Sequence, residues 1–507
     1  MAIGRNVDEK KVRLEECSQC DHDLELQNVS VSQFANAKTN VRQHVEDQGS
    51  THGSYTRLWR QLLRPFQYCV LLLALFSLSS KIFRYKPSTI SNETTLFPQM
   101  NLDFRKTPQP RIQTYEGCSS IIASKNRQFE FNITTEGTAA KQWQLLDFAV
   151  PKSRKNLQGE IIIDRGNLFQ TSDIDVRVIV RSNNEMDLDN VLFHRSDSAL
   201  DIDYNFRDRS DLCTEVQILV FLRPWPKRSL DLFNIRTSIF DIWFKPSLNW
   251  EINNLIAHTS HGESTMESSP YTDPLIAHNV SVSSIDGLIF GWYTPDENLE
   301  LRNKHGQIGI FLVPKLGTGS PFDPESISIS SFSGDIHAET VFEVWPPKTY
   351  THRTKIETVS GKVDAQVPHG WYTNLSSISG NISSYMKPYG AASPDAMSEI
   401  YTTSQSGSIS VYLSDPHEKS LAGKYNPLLN TVSEHDVGEG KLELIYPYDW
   451  YGEMEAKIKH GALEFDGSSL EDIKWGKGYV KAKRGRKGES QMEARVGTGV
   501  LDIRLGL

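Results

Sequence analysis

The sequence is short of cysteine and of catalytic signatures, and both scarcities limit what the chain can be. Five cysteines in 507 residues are too few for a scaffold held together by disulfides. Phosphate loops, nucleophile elbows, kinase signatures and His-Glu-x-x-His pairs are missing, and the fourteen histidines are scattered. We therefore expect a protein that is not an enzyme and that has no catalytic residue, no metal site and no cofactor.

Basic charge is also in short supply. The chain carries 54 Lys and Arg against 63 Asp and Glu, which gives a formal net charge of -9. A surface that binds nucleic acid needs an excess of basic side chains to displace counterions from the phosphates. The acidic balance therefore argues against nucleic acid as a partner.

Long apolar runs are limited to one, over residues 65–83, where FQYCVLLLALFSLSS begins at Phe66. At 1.5 Å per residue this run makes about 28 Å of helix, close to the thickness of a bilayer core. It predicts a single-pass transmembrane signal anchor. The polar residues 1–64 before it predict a disordered cytosolic tail, and residues 84–114 after it, with their prolines and hydroxyl side chains, predict a stalk.

Glycosylation acceptors favour one orientation of this anchor. Asn-x-Ser/Thr triplets occur five times after the apolar run and once before it, at Asn28. The five later acceptors are Asn92, Asn132, Asn279, Asn374 and Asn381. Because such acceptors are used in secreted proteins, we expect a cytosolic N-terminus and a C-terminal bulk that is extracellular or in a secretory or vacuolar lumen.

Cys118 and Cys213 are the two cysteines that follow the apolar run. In an oxidising compartment they are candidates for a disulfide, which would stabilise the fold by roughly 4–5 kcal/mol through closure of a long loop. The alternative is two separate buried thiols, and the sequence leaves both open.

The C-terminal half repeats a short pattern in which a glycine is followed two positions later by an aliphatic residue. The glycines are Gly287, Gly306, Gly334, Gly361, Gly380, Gly407, Gly440, Gly461, Gly478 and Gly499, and the aliphatic residues are Ile289, Ile308, Ile336, Val363, Ile382, Ile409, Leu442, Leu463, Val480 and Leu501. Each unit alternates with period two, which is typical of a strand. A unit this short must stack on a neighbour to bury its apolar face.

This pattern predicts an all-β fold, for which two arrangements of the strands are compatible with the sequence. The strands either stack in parallel as a β-solenoid, with the aliphatic residues as an internal ladder, or pair in antiparallel fashion as a meander or sandwich. We expect an N-terminal β region over residues 115–257, a polar surface loop over residues 258–274 and the glycine-aliphatic repeats over residues 275–507. The two β regions are expected to form one domain.

Several of these segments resemble a known family. SFSGDIHA, TVSGKVDA, SISGNISS and SQSGSISV, together with the LxxFxIxTxxxDI stretch at residues 230–242, resemble the putative-adhesin family of β-repeat proteins, in particular its membrane-anchored members in filamentous fungi. The resemblance spans about residues 115–507. It implies a β-repeat surface domain, an adhesive role and no catalytic residue.

Two groups of side chains are candidates for contact with partners. Trp292, Tyr293, Trp371 and Tyr372 occur in two Gly-Trp-Tyr-Thr segments and are candidates for stacking on sugar faces, although aromatic rings also commonly pack turns. Lys481, Lys483, Arg484, Arg486 and Lys487 form a basic cluster, which is either a solvated loop or a site for anionic glycans or lipid headgroups.

Acidic residues stand at the third position after four repeat glycines: Asp364, Glu443, Glu464 and Asp502. This position should point outward, which favours a solvated stripe over a catalytic site. The sequence thus predicts an integral membrane protein with an adhesin-like, non-enzymatic module that contacts cell-wall polysaccharide or surface proteins. The alternative is a carbohydrate-active enzyme on a β-repeat scaffold.

Overall fold

The computed structural model describes most of the C-terminal four-fifths of the chain. The described residues are 125–135, 141–148, 157–205, 213–267, 275–294, 296–313, 326–341, 353–389, 397–416, 426–485 and 489–506. All of them belong to one compact unit, Pro110–Leu507. The predicted tail, anchor and stalk (1–64, 65–83 and 84–114) lie outside these ranges, and no helix within the ranges is long and apolar enough to cross a bilayer.

Strands dominate this part of the chain, which confirms the predicted all-β fold. In chain order the elements are β1 (Lys125–Ile133), β2 (Gln142–Phe148), β3 (Leu157–Arg165), β4 (Ile174–Ser182), α1 (Glu185–Leu188), β5 (Val191–Arg195), β6 (Ala199–Tyr204), β7 (Thr214–Leu222), β8 (Arg228–Thr237), β9 (Asp241–Phe244), β10 (Trp250–Thr259), β11 (Ser264–Glu267), β12 (Ile276–Ser284), β13 (Ile289–Tyr293), β14 (Asn298–Asn303), β15 (Ile308–Leu312), β16 (Ser326–Ser331), β17 (Ile336–Thr340), β18 (Arg353–Thr358), β19 (Val363–His369), β20 (Tyr372–Ser377), β21 (Ile382–Pro388), β22 (Ser398–Ser404), β23 (Ile409–Leu413), β24 (Thr431–Tyr446), β25 (Gly452–Gly467), β26 (Leu470–Gly476), β27 (Tyr479–Arg484) and β28 (Ser490–Leu505).

The repeat half is a parallel β-solenoid in which each coil supplies one strand to each of two layers. Layer one runs β8, β10, β12 and on through the even-numbered strands to β22, and layer two runs β9, β11, β13 and on through the odd-numbered strands to β23. The long strand β24 joins the layers, because its first part pairs with β22 and its second part with β23. Parallel stacking is thereby confirmed for β8 to β24, and the antiparallel alternative is wrong for these strands.

The predicted internal ladder exists and runs the length of layer two. Strand register pairs nine of the predicted aliphatic residues in one line: Ile289, Ile308, Ile336, Val363, Ile382, Ile409, Leu442, Leu501 and Leu463. The first eight are buried. Removing such a side chain from water contributes about 1.5–3 kcal/mol, so the ladder supplies much of the cohesion between coils.

Val480 is the exception among the ten predicted ladder positions. It lies in β27, which pairs antiparallel with β25. Its side chain is buried, but its strand is not a coil of the parallel solenoid. The Gly478 segment matches the repeat pattern because an ordinary alternating strand follows a turn glycine, which here has a φ of +67°.

The prediction of a polar surface loop over residues 258–274 is wrong for residues 258–267, which include two strand segments. Residues 258 and 259 end β10, and Ser264–Glu267 form β11, whose first three residues are buried between β9 and β13. Ser264 pairs with Ile242 on one side and with Ile289 on the other, so a serine occupies one rung of the aliphatic ladder. The strand escaped detection because its sequence, STME, is polar.

Antiparallel strands lie at both ends of the described structure. At the amino-terminal end, β5 pairs with β6 in layer one, and β1, β4 and β7 pair in layer two. At the carboxyl-terminal end, the β26–β27 hairpin continues layer one beyond β25. The outermost strands β1, β5 and β26 each pair on one side only within the described residues, so the sheet stays open at its ends.

Tight turns connect each layer-one strand to the following layer-two strand, and a second residue column defines them. Three positions before the glycine stands a Ser, Thr or Asn whose side-chain oxygen accepts the glycine N–H at 2.7–3.0 Å; these residues are Thr259, Ser284, Asn303, Ser331, Thr358 and Ser377. The bonds are buried, so each satisfies a backbone donor that water cannot reach. We call this set the turn ladder.

Candidate functional site

The outer face of layer two carries a line of side chains with one residue from each coil. Register pairs Trp292, Phe311, Glu339, Gln366, Tyr385 and Tyr412 in succession. We call this set the outer column. All six side chains point away from the core and are half-buried. Because neighbouring strands lie about 4.8 Å apart, the column presents a regular row along the solenoid axis.

Aromatic rings stand in pairs toward both ends of the outer column. The Trp292 and Phe311 ring centroids are 4.5 Å apart with an interplanar angle of 23°. The Tyr385 and Tyr412 centroids are 5.3 Å apart with an angle of 12°. Stacking between neighbours holds the ring planes in place, which makes each pair a preformed apolar patch.

Charged and amide groups fill the space between the two ring pairs. Glu339 and Gln366 belong to the column, and His337 and Asp364 lie two residues earlier on the same strands and on the same face. The His337 ring nitrogens are 3.8 Å from Asp364 and 3.7 Å from Glu339. The proximity of these carboxylates, Asp364 first, favours the protonated ring and raises the pKa of His337 to about 9. The middle of the column therefore offers an imidazolium, two carboxylates and an amide.

The four predicted aromatic contacts do not form one site. Trp292 lies in the outer column, but its neighbour Tyr293 points into the core, is 3% exposed and has a pKa raised above its usual value by burial. Trp371 and Tyr372 lie at layer one instead: Trp371 is 49% exposed with the Arg353 guanidinium 4.4 Å from its ring, and Tyr372 packs against Tyr401. Burial removes Tyr293 from the candidate contacts.

The predicted basic cluster is divided. Arg484 is 1% exposed, and its guanidinium donates to the carbonyl oxygen of Pro447 at 3.0 Å, so it is an interior residue. Lys481 and Lys483 are on the surface, and each has its ammonium within 3.7 Å of Glu453. Arg486 and Lys487 lie outside the described residues. Alternation along β27 explains the division, because successive side chains point to opposite faces of a strand.

The four predicted acidic positions share one line on the outer face of layer two. Asp364 is followed through Ser383 and Ser410 by Glu443, Asp502 and Glu464 on successive strands. Two cations accompany them: Lys441 lies 3.2 Å from Glu443, and Arg504 lies 2.8 Å from Asp502. Within the described ranges, no group of three or more His, Cys, Asp or Glu side chains is arranged to hold a metal ion.

The remaining predicted residues occupy several places. Cys213 is buried and disulfide-bonded, whereas Cys118 lies outside the described residues, so the pairing of the two stays a prediction. Among the glycosylation candidates, Asn132 and Asn381 are exposed, Asn279 and Asn374 are half-buried on the outer face of layer one, and Asn92 is outside the described ranges. Use of these acceptors stays a prediction.

Sequence reasoning missed most of the outer column. Phe311, Tyr385 and Tyr412 were not singled out, although each stands five positions after a repeat glycine, as Trp292 does. The signal that could have identified these residues is their fixed distance in sequence from the repeat glycine. In a parallel solenoid, residues at equal distance from the turn align across coils. An aromatic residue at that one position in four coils would have identified the column.

Comparison with known proteins gives neither a family nor a function. No family model and no curated protein matches the chain, so the fungal family predicted from the motifs stays an expectation. Among solved structures, a "putative adhesin" from Parabacteroides distasonis ATCC 8503 is similar over 57% of this chain and 98% of its own, with 11% identity and a TM-score of 0.30. A "putative adhesin" from Bacteroides fragilis NCTC 9343 covers 57% and 97% with 9% identity and a TM-score of 0.24. A "putative cell adhesion protein" from Clostridium sporogenes ATCC 15579 covers 75% and 100% with 10% identity and a TM-score of 0.15.

Proposed function

We propose that the protein is a non-enzymatic, adhesin-like module that binds an extended polysaccharide along the outer column of layer two. The observation that carries the proposal is the order of side chains in that column: a stacked ring pair, two polar residues and a second stacked ring pair. A linear glycan presents apolar ring faces and hydroxyl edges in regular alternation, and the column offers partners for both.

The spacing of the coils supports a linear ligand over a compact one. Strands separated by about 4.8 Å repeat at nearly the length of one sugar residue in an extended chain, so successive sugars meet successive coils. The stacked pairs that contain Trp292 and Tyr385 offer apolar ring surface against which the apolar parts of sugars can pack. Glu339 and Gln366 accept or donate hydrogen bonds to hydroxyl groups between them.

Sequence features support a setting at a membrane, outside the cytosol. The disulfide at Cys213 supports an oxidising compartment, and the predicted anchor over residues 65–83 would hold the domain at a membrane outside the cytosol. In that setting the accessible polymers are cell-wall polysaccharides and the glycans of surface proteins. The resemblance to membrane-anchored adhesin-like proteins of fungi supports the same setting.

Binding of the full chain to insoluble glucan and chitin tests the proposal. Tyr385→Ala combined with Tyr412→Ala, and Trp292→Ala separately, should each weaken retention about tenfold, since each change removes apolar ring surface that packs against the sugars. Tyr401→Ala is the matched control: Tyr401 is a half-buried outward tyrosine on layer one, and its loss should leave retention unchanged. Equal retention of all variants would refute a binding role for the column.

A carbohydrate-active enzyme is the second candidate, and one observation favours it. Glu443, Asp502 and Glu464 lie side by side on β24, β28 and β25, so adjacent strands gather three carboxyl groups. Release of reducing ends from the bound polysaccharide, lost in Glu443→Gln and Asp502→Asn, is the expected result for an enzyme. Binding without turnover in the unmodified protein would leave the adhesive function alone.

A further inference from the structure

Two adjoining loops carry the three most exposed large apolar side chains of the described chain. Phe169 is 88% exposed and Leu168 is 66% exposed, both in the loop between β3 and β4. Trp225 is 70% exposed in the loop between β7 and β8. Exposure of large apolar side chains to this degree is unfavourable in water. Three of them on adjoining loops therefore indicate an interaction surface.

Hydrogen bonds hold the two loops side by side. At the base of the first loop, the Gly166 N–H donates to the Leu222 carbonyl at 2.8 Å, and the buried Gln170 amide donates to the Phe221 carbonyl at 3.0 Å. The Arg223 guanidinium, from the second loop, donates to the Thr171 carbonyl at 3.1 Å. Because these hydrogen bonds fix the bases of both loops, the entropy cost of ordering the loops on binding is reduced.

The chemistry of the tips fits the interfacial region of a lipid bilayer. Trp is enriched at the headgroup level of membranes, and Phe and Leu side chains of interfacial segments enter the acyl boundary. Exposed cations accompany the tips: Arg165 directly precedes the first loop, and Lys227 ends the second, where it also pairs with Glu251 at 3.0 Å. Basic side chains at this level attract anionic headgroups. A flat protein partner would favour a continuous apolar face over two protruding tips.

We propose that Leu168, Phe169 and Trp225 dock the solenoid onto the surface of a lipid bilayer, as a second contact beside the predicted anchor. The docking surface is independent of the polysaccharide column and rests on the proposed function only for the presence of a membrane. Residues 84–124 separate the predicted span from β1. A segment of 41 residues can span at most about 140 Å, so its length permits the tips to reach the bilayer surface.

Depth measurements on the full chain test the docking. The chain is added to vesicles of phosphatidylcholine and phosphatidylserine with Phe169, Trp225 or Met186 replaced by p-acetylphenylalanine, to which a nitroxide is attached by an oxime. Met186 is the matched control, because it is 64% exposed and lies in α1, beyond the other end of β4 and about 30 Å from the first loop. Labels at positions 169 and 225 should be accessible to oxygen and shielded from a water-soluble nickel chelate, and the label at 186 should show the reverse.

The outcomes separate this inference from the anchor. If the chain resists an alkaline carbonate wash while labels at 169 and 225 match the label at 186, the docking is refuted and the anchor stands. If the wash removes the chain, the anchor fails, and docking then requires that the chain still float with vesicles at neutral pH. That flotation should be lost in Phe169→Ser combined with Trp225→Ser; absence of flotation in the unmodified chain would refute both.

Discussion

The carbonyl oxygen of Gly361 lies 1.8 Å from the point that a Cβ atom on Gly380 would occupy. The same approach recurs from coil to coil, with 1.7–2.2 Å at Gly287, Gly306, Gly334, Gly361, Gly380 and Gly407. At Gly380 the backbone is outside the left-handed region, so close approach and not φ requires the glycine. The obstacle is a backbone carbonyl within the stacked turns, which no rotamer change can relieve.

Gly380→Ala should therefore destabilise the protein by about 2 kcal/mol or more, because two coils must separate to admit one methyl group. Gly309→Ala is the control within the same layer. Its added Cβ would meet only the Phe290 ring, at 3.2 Å, and a side chain can shift. We expect a cost below about 1 kcal/mol there. Urea unfolding of both variants measures the difference, and equal midpoints would contradict the steric explanation of the glycine column.

The turn ladder gives a second prediction. The Thr358 hydroxyl accepts the buried N–H of Gly361 at 3.0 Å. Thr358→Val preserves shape and removes the acceptor, so the N–H is left unpaired at a cost of about 1–3 kcal/mol. Thr358→Ser restores the oxygen and should recover most of the loss. If Val and Ser variants unfold at the same urea concentration, the hydrogen bond does not stabilise the turn.

The interior of this fold could be predicted from the sequence because the coils repeat. Ile336 and Ile382 stand at the same distance from their glycines, so burial of one implies burial of the other. Ser264 is the exception to this repetition. A serine occupies the aliphatic position in β11, so the sequence predicted a polar loop there, although this coil keeps the hydrogen bond between the Gly262 N–H and the Thr259 hydroxyl. Stacking between neighbouring coils stabilises a polar strand that its own side chains would not identify.

The candidate site could be predicted less well, because the charge or aromaticity of a side chain does not reveal whether it points toward the core or toward the solvent. Trp292 and Tyr293 are adjacent in sequence, yet one faces outward and the other lies in the core. Lys483 and Arg484 differ in the same way. Assignment of a strand's inward face from the aliphatic ladder would have separated both pairs, since side chains alternate along a strand.

A buried histidine makes stability depend on pH. The His435 ring nitrogens lie 2.7 Å from the Thr402 hydroxyl and 2.9 Å from the Tyr446 hydroxyl, and burial lowers the pKa of His435 to about 3. The unfolded chain, with a pKa near 6.5, binds the proton more readily between pH 6.5 and 3. The contribution of the neutral His435 to stability is therefore fully present above pH 6.5, and it falls by roughly 1.4 kcal/mol per pH unit between pH 6.5 and pH 3.

The stability advantage of the unmodified protein over His435→Gln should consequently shrink by roughly 2–3 kcal/mol between pH 7 and pH 4.5. The difference is the useful quantity, because Asp147 and Asp241, whose pKa values burial raises to about 6, titrate with the opposite sign in both proteins. Leu442→Ala, which weakens the same core without removing a titrating group, should lose a constant amount. A His435→Gln difference that is equally constant would contradict a neutral buried imidazole.

Arg484 should behave as a core residue, although it belongs to a basic stretch of sequence. Its guanidinium donates to the Pro447 carbonyl at 3.0 Å and lies 4.6 Å from the Tyr448 ring. Arg484→Ala removes this donor and the packing of its stem, so we expect a loss of about 2 kcal/mol or more in urea unfolding. Lys483→Ala removes only a surface pair with Glu453, and the expected change is within about 0.5 kcal/mol. Because the two residues are neighbours in sequence with the same charge, similar losses in both variants would show that the charge of this segment, and not the inward direction of Arg484, governs its contribution.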